Sequence, residues 1–478
     1  MRSSGIRKMG YIISGIAVMA VGLLTGKTCA LADKAGSFTV TGGTNGVDYN
    51  YDDTNVTLTV NPGAKITVSG SSTAIKENIH IAAGSDNVEL TISGLSIIRP
   101  DDRDSSYYAT YEAAPISIDD SYTGTVTIIV SGSNKFETYG KSVIEKNGTA
   151  SELVLSGSGT LNANTYGTGD LNKGFPAMIG GAAGKSSGNI TITGGTYTLY
   201  PNSGGTAIGG GSSGKGTDIT ISGGKVDARM VPYYGLGGNF AQYTGAVIGG
   251  GANANGENIT IKGSSTTVYA FITTNDSVAV SVFGYGAAIG GGCNASGKNI
   301  QIQGGTVIAG VYPNICGAAI GSGYKTKGDN WDDTSVVISG GTVTASGVRK
   351  APGIGGYGYD ADNHDNANIT ITGGNVTANG GVYSPGIGGG NYSDAGIYIS
   401  GGNVKATAGS GTAGDDTVYE SDDIGLDAYT KYGNTTVIES KRCSYTLKRG
   451  GTGADADKEV QLVDPVVEAE VERIAEAI

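Results

Sequence analysis

The sequence predicts an all-β chain: a single right-handed parallel β-helix of about eleven coils, three short strands per coil, with a short C-terminal helix. Three observations predict it. A motif of the form Asn-Ile-Thr-Ile-x-Gly-Gly recurs along the chain, and an Ile-Gly motif runs in phase with it. Gly supplies 85 of 478 residues and Pro only 10, without the three-residue period of collagen. Alternating Ile, Val and Thr with 27 tyrosines argue against a disordered chain, which is poor in β-branched and aromatic residues.

Residues 1–32 read as a cleavable secretory signal. Arg2, Arg7 and Lys8 precede an apolar run from Tyr11 to Leu24, and Ala30-Leu31-Ala32 follows just before Asp33. The run is shorter than the roughly 18–20 residues that span a bilayer, so an exported, released protein without stable membrane insertion is expected. Loss of Arg2, Arg7, Lys8 and Lys27 with this segment would take the formal net charge from −12 to −16. Such a surface repels nucleic acid and anionic headgroups but accommodates Ca²⁺. Cys293, Cys316 and Cys443 would remain, too few and too odd a set for a disulfide framework.

Residues 33–60 are expected to cap the N-terminal end and residues 61–455 to form the β-helix. "NITITGGTYT" at Asn189 returns as "DITISGGKVD" at Asp218, "NITIKGSSTTV" at Asn258, "NIQIQGGTV" at Asn299, "VVISGGTVTA" at Val336, "NITITGGNVTA" at Asn368 and "IYISGGNVKA" at Ile397. Weaker relatives begin at Ile66, Leu90, Thr127 and Leu153. The second marker is Ile179, Ile208, Ile248, Ile289, Ile320, Ile354 and Ile387, each followed by Gly. The shortest coil is 29 residues, with steps of 11, 7 and 11 between its three strands. Strands this short gain a core only by stacking, Ile over Ile at about 4.8 Å, into a rod on the order of 50 Å long. Gly pairs, and the Asn before each strand, suit the corners. In residues 456–478, Asp464 and Pro465 open a helical pattern over Val466–Ile478 that would cover the last coil.

Glycine-rich corners such as "IGGAAGKSS" do not meet the phosphate-loop pattern: Ile179 stands where its first Gly belongs, and a strand follows rather than a helix. The two histidines, His80 and His364, match no Gly-His-Gly motif, and Asp119-Asp120 has no second carboxylate at a recognisable spacing. No catalytic set is assigned.

Departures from the 29-residue coil are where binding residues are expected. Two consecutive coils lengthen the segment before the Ile-Gly marker, carrying Tyr233, Tyr234, Phe240, Tyr243, Tyr269, Phe283 and Tyr285. These could form an aromatic wall or pack under their own loops. The next two coils enlarge another corner with Tyr324, Trp331 (the only Trp), Tyr357 and Tyr359 beside Asp329, Asp332, Asp333, Asp360, Asp362 and Asp365. Aromatic faces beside carboxylates suit sugars, with Ca²⁺ held by the aspartates or those aspartates simply solvated.

At the "NITITGGTYT" and "AIGGG" motifs the chain resembles Gly-rich β-helix surface and secreted proteins of Firmicutes. More distantly it is similar to the clostridial β-helix carbohydrate-binding domain, over roughly residues 40–430. It departs from that domain in carrying Ile-Gly-Gly where Asp-rich corners stand beside the repeated glycines. The resemblance implies a secreted or cell-surface, non-catalytic monomer that binds a polysaccharide or surface glycan. Two alternatives stand beside this expectation: a structural or adhesive rod contacting protein partners, and a polysaccharide lyase-like enzyme.

Overall fold

The computed structural model describes residues 32–70, 73–99, 113–166, 174–201, 204–231, 244–273, 285–312, 317–325, 333–357, 366–390, 393–409, 411–412, 418–419, 424–426, 435–439 and 444–446. The signal segment and the helix expected over Val466–Ile478 lie outside these. Among the described residues there is no helix; strands stack in parallel into three ladders that wind a β-helix.

The first ladder carries the Ile-Gly marker. Ile79, Ile116, Ile144, Ile179, Ile208, Ile248, Ile289, Ile320, Ile354 and Ile387 lie in register, and all are fully buried. The second ladder stacks Ile190, Ile219, Ile259, Ile300, Val336, Ile369 and Ile397. The third stacks Val226, Val268, Val307, Val343, Val376 and Val404, with an alanine column two residues on from Ala228 to Ala406. Period-2 alternation turns these columns inward and leaves the intervening residues outside. Branched side chains from two faces meet valine and alanine from the third in one continuous buried core.

The first ladder changes direction within two residues, and its glycines make this possible. Gly180, Gly209, Gly249, Gly290, Gly321, Gly355 and Gly388 have φ between 135° and 149°, a region other residues rarely enter. A methyl group on each would lie 1.8–2.1 Å from the carbonyl oxygen of the glycine one coil on. Those carbonyls accept inter-coil hydrogen bonds, as from the Gly250 N–H to the Gly290 oxygen and from Gly291 to Gly321, both 3.0 Å. The asparagine corners also take left-handed backbone: Asn189, Asp218, Asn258 and Asn299 have φ of 52–55°. Their side chains form a ladder, with Asn299 Nδ2 donating to Asn258 Oδ1 and Asn258 Nδ2 to Asp218 Oδ1, each 2.9 Å.

The ends depart from the repeat. Asp33–Ala35 and Phe38–Thr41 form an antiparallel pair that adds antiparallel to Lys65–Ser69, and Tyr49–Asp52 pairs antiparallel with Thr57–Val60. Thr57–Val60 is itself parallel to Asn78–Ile81, so the first ladder begins before residue 61. At the other end Ile424–Leu426, Thr435–Glu439 and Ser444–Thr446 stack in parallel on the coil that starts at Ile387. The eleven recurrences of the motif did not include this rung because no Gly follows "TTVIES".

Gly290→Ala is expected to lower stability by about 2 kcal/mol or more, since it combines backbone strain with a backbone clash. Gly46→Ala, at φ 83° with nothing within 4 Å of the added methyl, is expected to cost about 1 kcal/mol. Urea unfolding midpoints compare the two; equal losses would contradict the role assigned to the clash.

Candidate functional site

Of the residues expected from sequence to bind a ligand, Tyr285, Tyr324, Tyr357 and Asp333 are described. Tyr285 and Tyr357 are 1% and 2% exposed: for Tyr357 this corrects the expectation of an open ring, and for Tyr285 it favours the packed alternative over the open wall. Tyr285 precedes the first-ladder strand at Ile289 and Tyr357 ends the one that starts at Ile354: the Tyr285 carbonyl accepts from the Tyr324 N–H at 2.8 Å, and the Tyr357 N–H donates to Ser322 Oγ at 2.7 Å. Tyr324 is half-buried and tilts its ring against Tyr357, centroids 4.8 Å apart. Cys293 is buried beneath them, its Sγ 3.2 Å from the Tyr324 carbonyl oxygen. Asp333 is exposed. Trp331, Tyr359, Tyr233, Tyr234, Tyr243, Asp329, Asp332, Asp360, Asp362 and Asp365 lie outside the described residues, as do Cys316 and Cys443. Among the described residues no three His, Cys, Asp or Glu side chains gather as metal ligands would.

The structure instead assembles an aromatic stripe on the outer face of the third ladder. Tyr139 and Tyr166 are register partners, with centroids 5.4 Å apart. On the next rung Tyr200 stands beside Asn164, one outward position before Tyr166, and is paired in column with Arg229 by the register of Leu199 with Ala228. Arg229 stands beside Phe271, and Asp227 beside Tyr269. One rung further Phe271 meets Gly310, Tyr269 meets Ile308, and Tyr312 leaves the strand with its N–H bonded to the Ile272 carbonyl. Six successive rungs thus place an aromatic ring or Arg229 on one side of the rod. Tyr166 and Tyr200 are 41% exposed and Tyr312 49%, high values for rings on a regular sheet.

Charges within the stripe are matched locally. Arg229 Nε and Nη2 donate to the two Asp227 oxygens at 2.8 and 3.2 Å, and this pairing raises the guanidinium above its usual range. The guanidinium carbon also lies 5.8 Å from the Phe271 centroid, and Lys225 Nζ lies 5.3 Å from that of Tyr269. Lys135 pairs with Glu137 at 2.7 Å. Such a face offers stacking surface and a few oriented donors, the chemistry that retains sugars. Tyr269 is the one described member of the expected aromatic wall that lies here. The wall was placed in loops, whereas Tyr269 and Phe271 are the outward residues of the strand Thr267–Ile272. A legible signal was the tyrosine that closes the third strand in "ETYG", "NTYG", "TLYP" and "GVYP".

A second polar group lies on the first ladder, upstream of its glycine column. His80, Ser117 and Glu145 occupy the outward position on successive rungs. His80 Nδ1 is 3.0 Å from Ser117 Oγ, and Nε2 is 3.8 Å from Asp119 Oδ2. Ser121 hydrogen bonds hold Asp119 below the usual carboxylate range, and burial pushes Glu145 above it. Asn147 Nδ2 ties Asp120 (2.9 Å) to Glu145 (3.2 Å). The sequence spacing hid this second carboxylate, because the coils bring Glu145 beside Asp120. Nearby backbone N–H groups are engaged between rungs, as from Asp119 to the Ile81 carbonyl at 3.0 Å.

Next along this strand Lys146 points inward and is fully buried, donating to the carbonyls of Gly148 (2.8 Å) and Gly188 (2.5 Å). Burial pulls its ammonium down from 10.5 to about 8.

A family model described as a β-helix repeat matches residues 336–359, 369–391 and 397–414, three consecutive coils downstream of the aromatic stripe. No curated protein and no solved structure matches the chain.

Because folded Lys146 takes up its proton only below about 8 while the unfolded chain does so at 10.5, the unfolded state binds more protons between these values. Lys146 therefore makes stability rise with pH across that window. Lys146→Met is expected to remove the rise, read as the difference in urea midpoint between the two proteins at each pH. Parallel curves would contradict it.

Proposed function

We propose that this parallel β-helix is an exported, non-catalytic, monomeric protein that binds carbohydrate, and that the aromatic stripe from Tyr139 to Tyr312 is the binding face. The observation that carries the reading is a run of outward rings along one side of the rod, of which Tyr166, Tyr200 and Tyr312 are exposed and Tyr139, Tyr269 and Phe271 half-buried. Single exposed rings are ordinary on a soluble fold, but rings gathered along one face mark a surface that a partner or ligand covers. Sugars present flat C–H faces to such rings, and the adjacent Tyr hydroxyls and Arg229 supply hydrogen bonds to hydroxyl groups. The regular core makes the face rigid before a ligand arrives, which lowers the ordering cost of binding.

A second reading rests on the row of His80, Ser117, Asp119 and Glu145. A carboxyl raised by burial near one held low is the pattern of acid–base pairs, and it favours a polysaccharide-cleaving enzyme. Release of soluble oligosaccharides from a polysaccharide panel, lost in Glu145→Gln, would promote this reading over the first.

Tyr200→Ala and Tyr312→Ala are each expected to weaken glycan binding roughly tenfold without altering the fold. Retention of the mature protein on a glycan array, followed by affinity electrophoresis of the variants, measures this. A wild-type protein that retains no glycan would end the carbohydrate reading.

A further inference from the structure

We infer that the stripe takes an uncharged glycan chain laid along the rod axis, and that Gly310 is the positioning residue that lets its aromatic floor lie flat. The inference rests on the carbohydrate reading and names its ligand class.

Gly310 is unlike the corner glycines. It lies within a strand, Gly297–Val311, and its backbone is not left-handed. A methyl group there would meet no backbone atom among its three nearest neighbours. It would meet Phe271 Cδ1 at 3.0 Å, Phe271 Cε1 at 3.1 Å and Tyr312 Cε2 at 3.3 Å. Neither a turn nor a close backbone approach calls for glycine at this position, and a glycine inside a strand weakens it. What the missing side chain provides is room: the Phe271 ring leans across the next rung and comes beside Tyr312. Any side chain at 310 would stand between the two rings and break the floor.

The direction of the ligand follows from register. The rings recur from rung to rung, at about 4.8 Å along the axis, over six rungs, whereas along a strand the stripe places no more than two in succession, Tyr269 and Phe271. From Tyr139 to Tyr312 the stripe crosses five intervals, roughly 24 Å. A polymer that stacks unit after unit must run across the strands. The absence of charge on the ligand follows from the pairing already described. Asp227 neutralises Arg229, Glu137 neutralises Lys135, and the Lys225 ammonium lies over Tyr269. A polyanion would approach a face without a cluster of uncompensated cations, on a chain of net charge −12.

Calorimetric titration of the mature protein with cellohexaose, mannohexaose and xylohexaose, their disaccharides, and oligogalacturonate of equal length tests this. Expected is binding of at least one neutral hexasaccharide, at least tenfold tighter than its disaccharide and insensitive to added salt. Gly310→Thr is expected to weaken it tenfold or more, and Gly310→Ala several-fold, with unfolding temperatures unchanged or raised. If Gly310→Thr unfolds early, the Gly310→Ala comparison decides. Unchanged affinity in a folded Gly310 variant overturns the role of Gly310. Tighter binding of oligogalacturonate, lost in Phe271→Ala, would keep the stripe as a glycan site and overturn the uncharged ligand. Binding of none of these sugars would overturn this inference, while retention of other glycans on the array would leave the carbohydrate reading standing.

Discussion

The rod depends on the column of glycines that follows the first-ladder isoleucines. At each of these positions the backbone passes another backbone so closely that a carbonyl oxygen one coil on occupies the place of a Cβ. The same carbonyl accepts a hydrogen bond from the preceding coil, so steric fit and inter-coil pairing are one interaction. Conformation reinforces it, because φ near 140° excludes L side chains at the same sites. With this corner set, Ile falls above Ile, and the other two ladders inherit a common rise.

The glycine column also divides the molecule. Upstream of Gly180 the outward position of the first ladder holds His80, Ser117 and Glu145, and the face can carry ionisable groups. From Gly180 onward it carries none. The coils there vary outside on the third ladder instead, where the core residues beneath are small and repetitive. Arg229, Tyr269, Phe271 and Tyr312 change from rung to rung while the Val and Ala columns below them do not; on the Tyr200 rung the inward residues are still Tyr197 and Leu199. A solenoid separates its requirements in this way: inward columns answer to packing, and outward columns are free to answer to a partner.

Much of the fold was legible because its constraints are local and repeated. "NITITGGTYT" and its relatives carry strand alternation, corner residues and coil length together, and the buried Ile289, Ile300, Ile302 and Val307 follow from one such stretch. The rung at Thr435–Glu439 carried no marker in the sequence, since parallel pairing does not require the glycine that follows the other strands of its ladder. The site was legible only in part. Tyr269 was noticed, but as a loop residue. Tyr357 was read as exposed on the strength of its lengthened coil, and Tyr285 was left between an open wall and a packed ring, whereas the structure buries both.

By itself the sequence determined the class of fold, the coil length, the inward columns and the glycine corners, because each rests on spacing along the chain and on the limits of φ. Only the tertiary structure decided which outward residues meet. Tyr139, Tyr166, Tyr200, Arg229, Phe271 and Tyr312 are 27 to 42 residues apart from one to the next. They become a surface only when coils stack in register. The same stacking brings Glu145 to Asp120 and lets Phe271 lean over Gly310, contacts that no local pattern encodes.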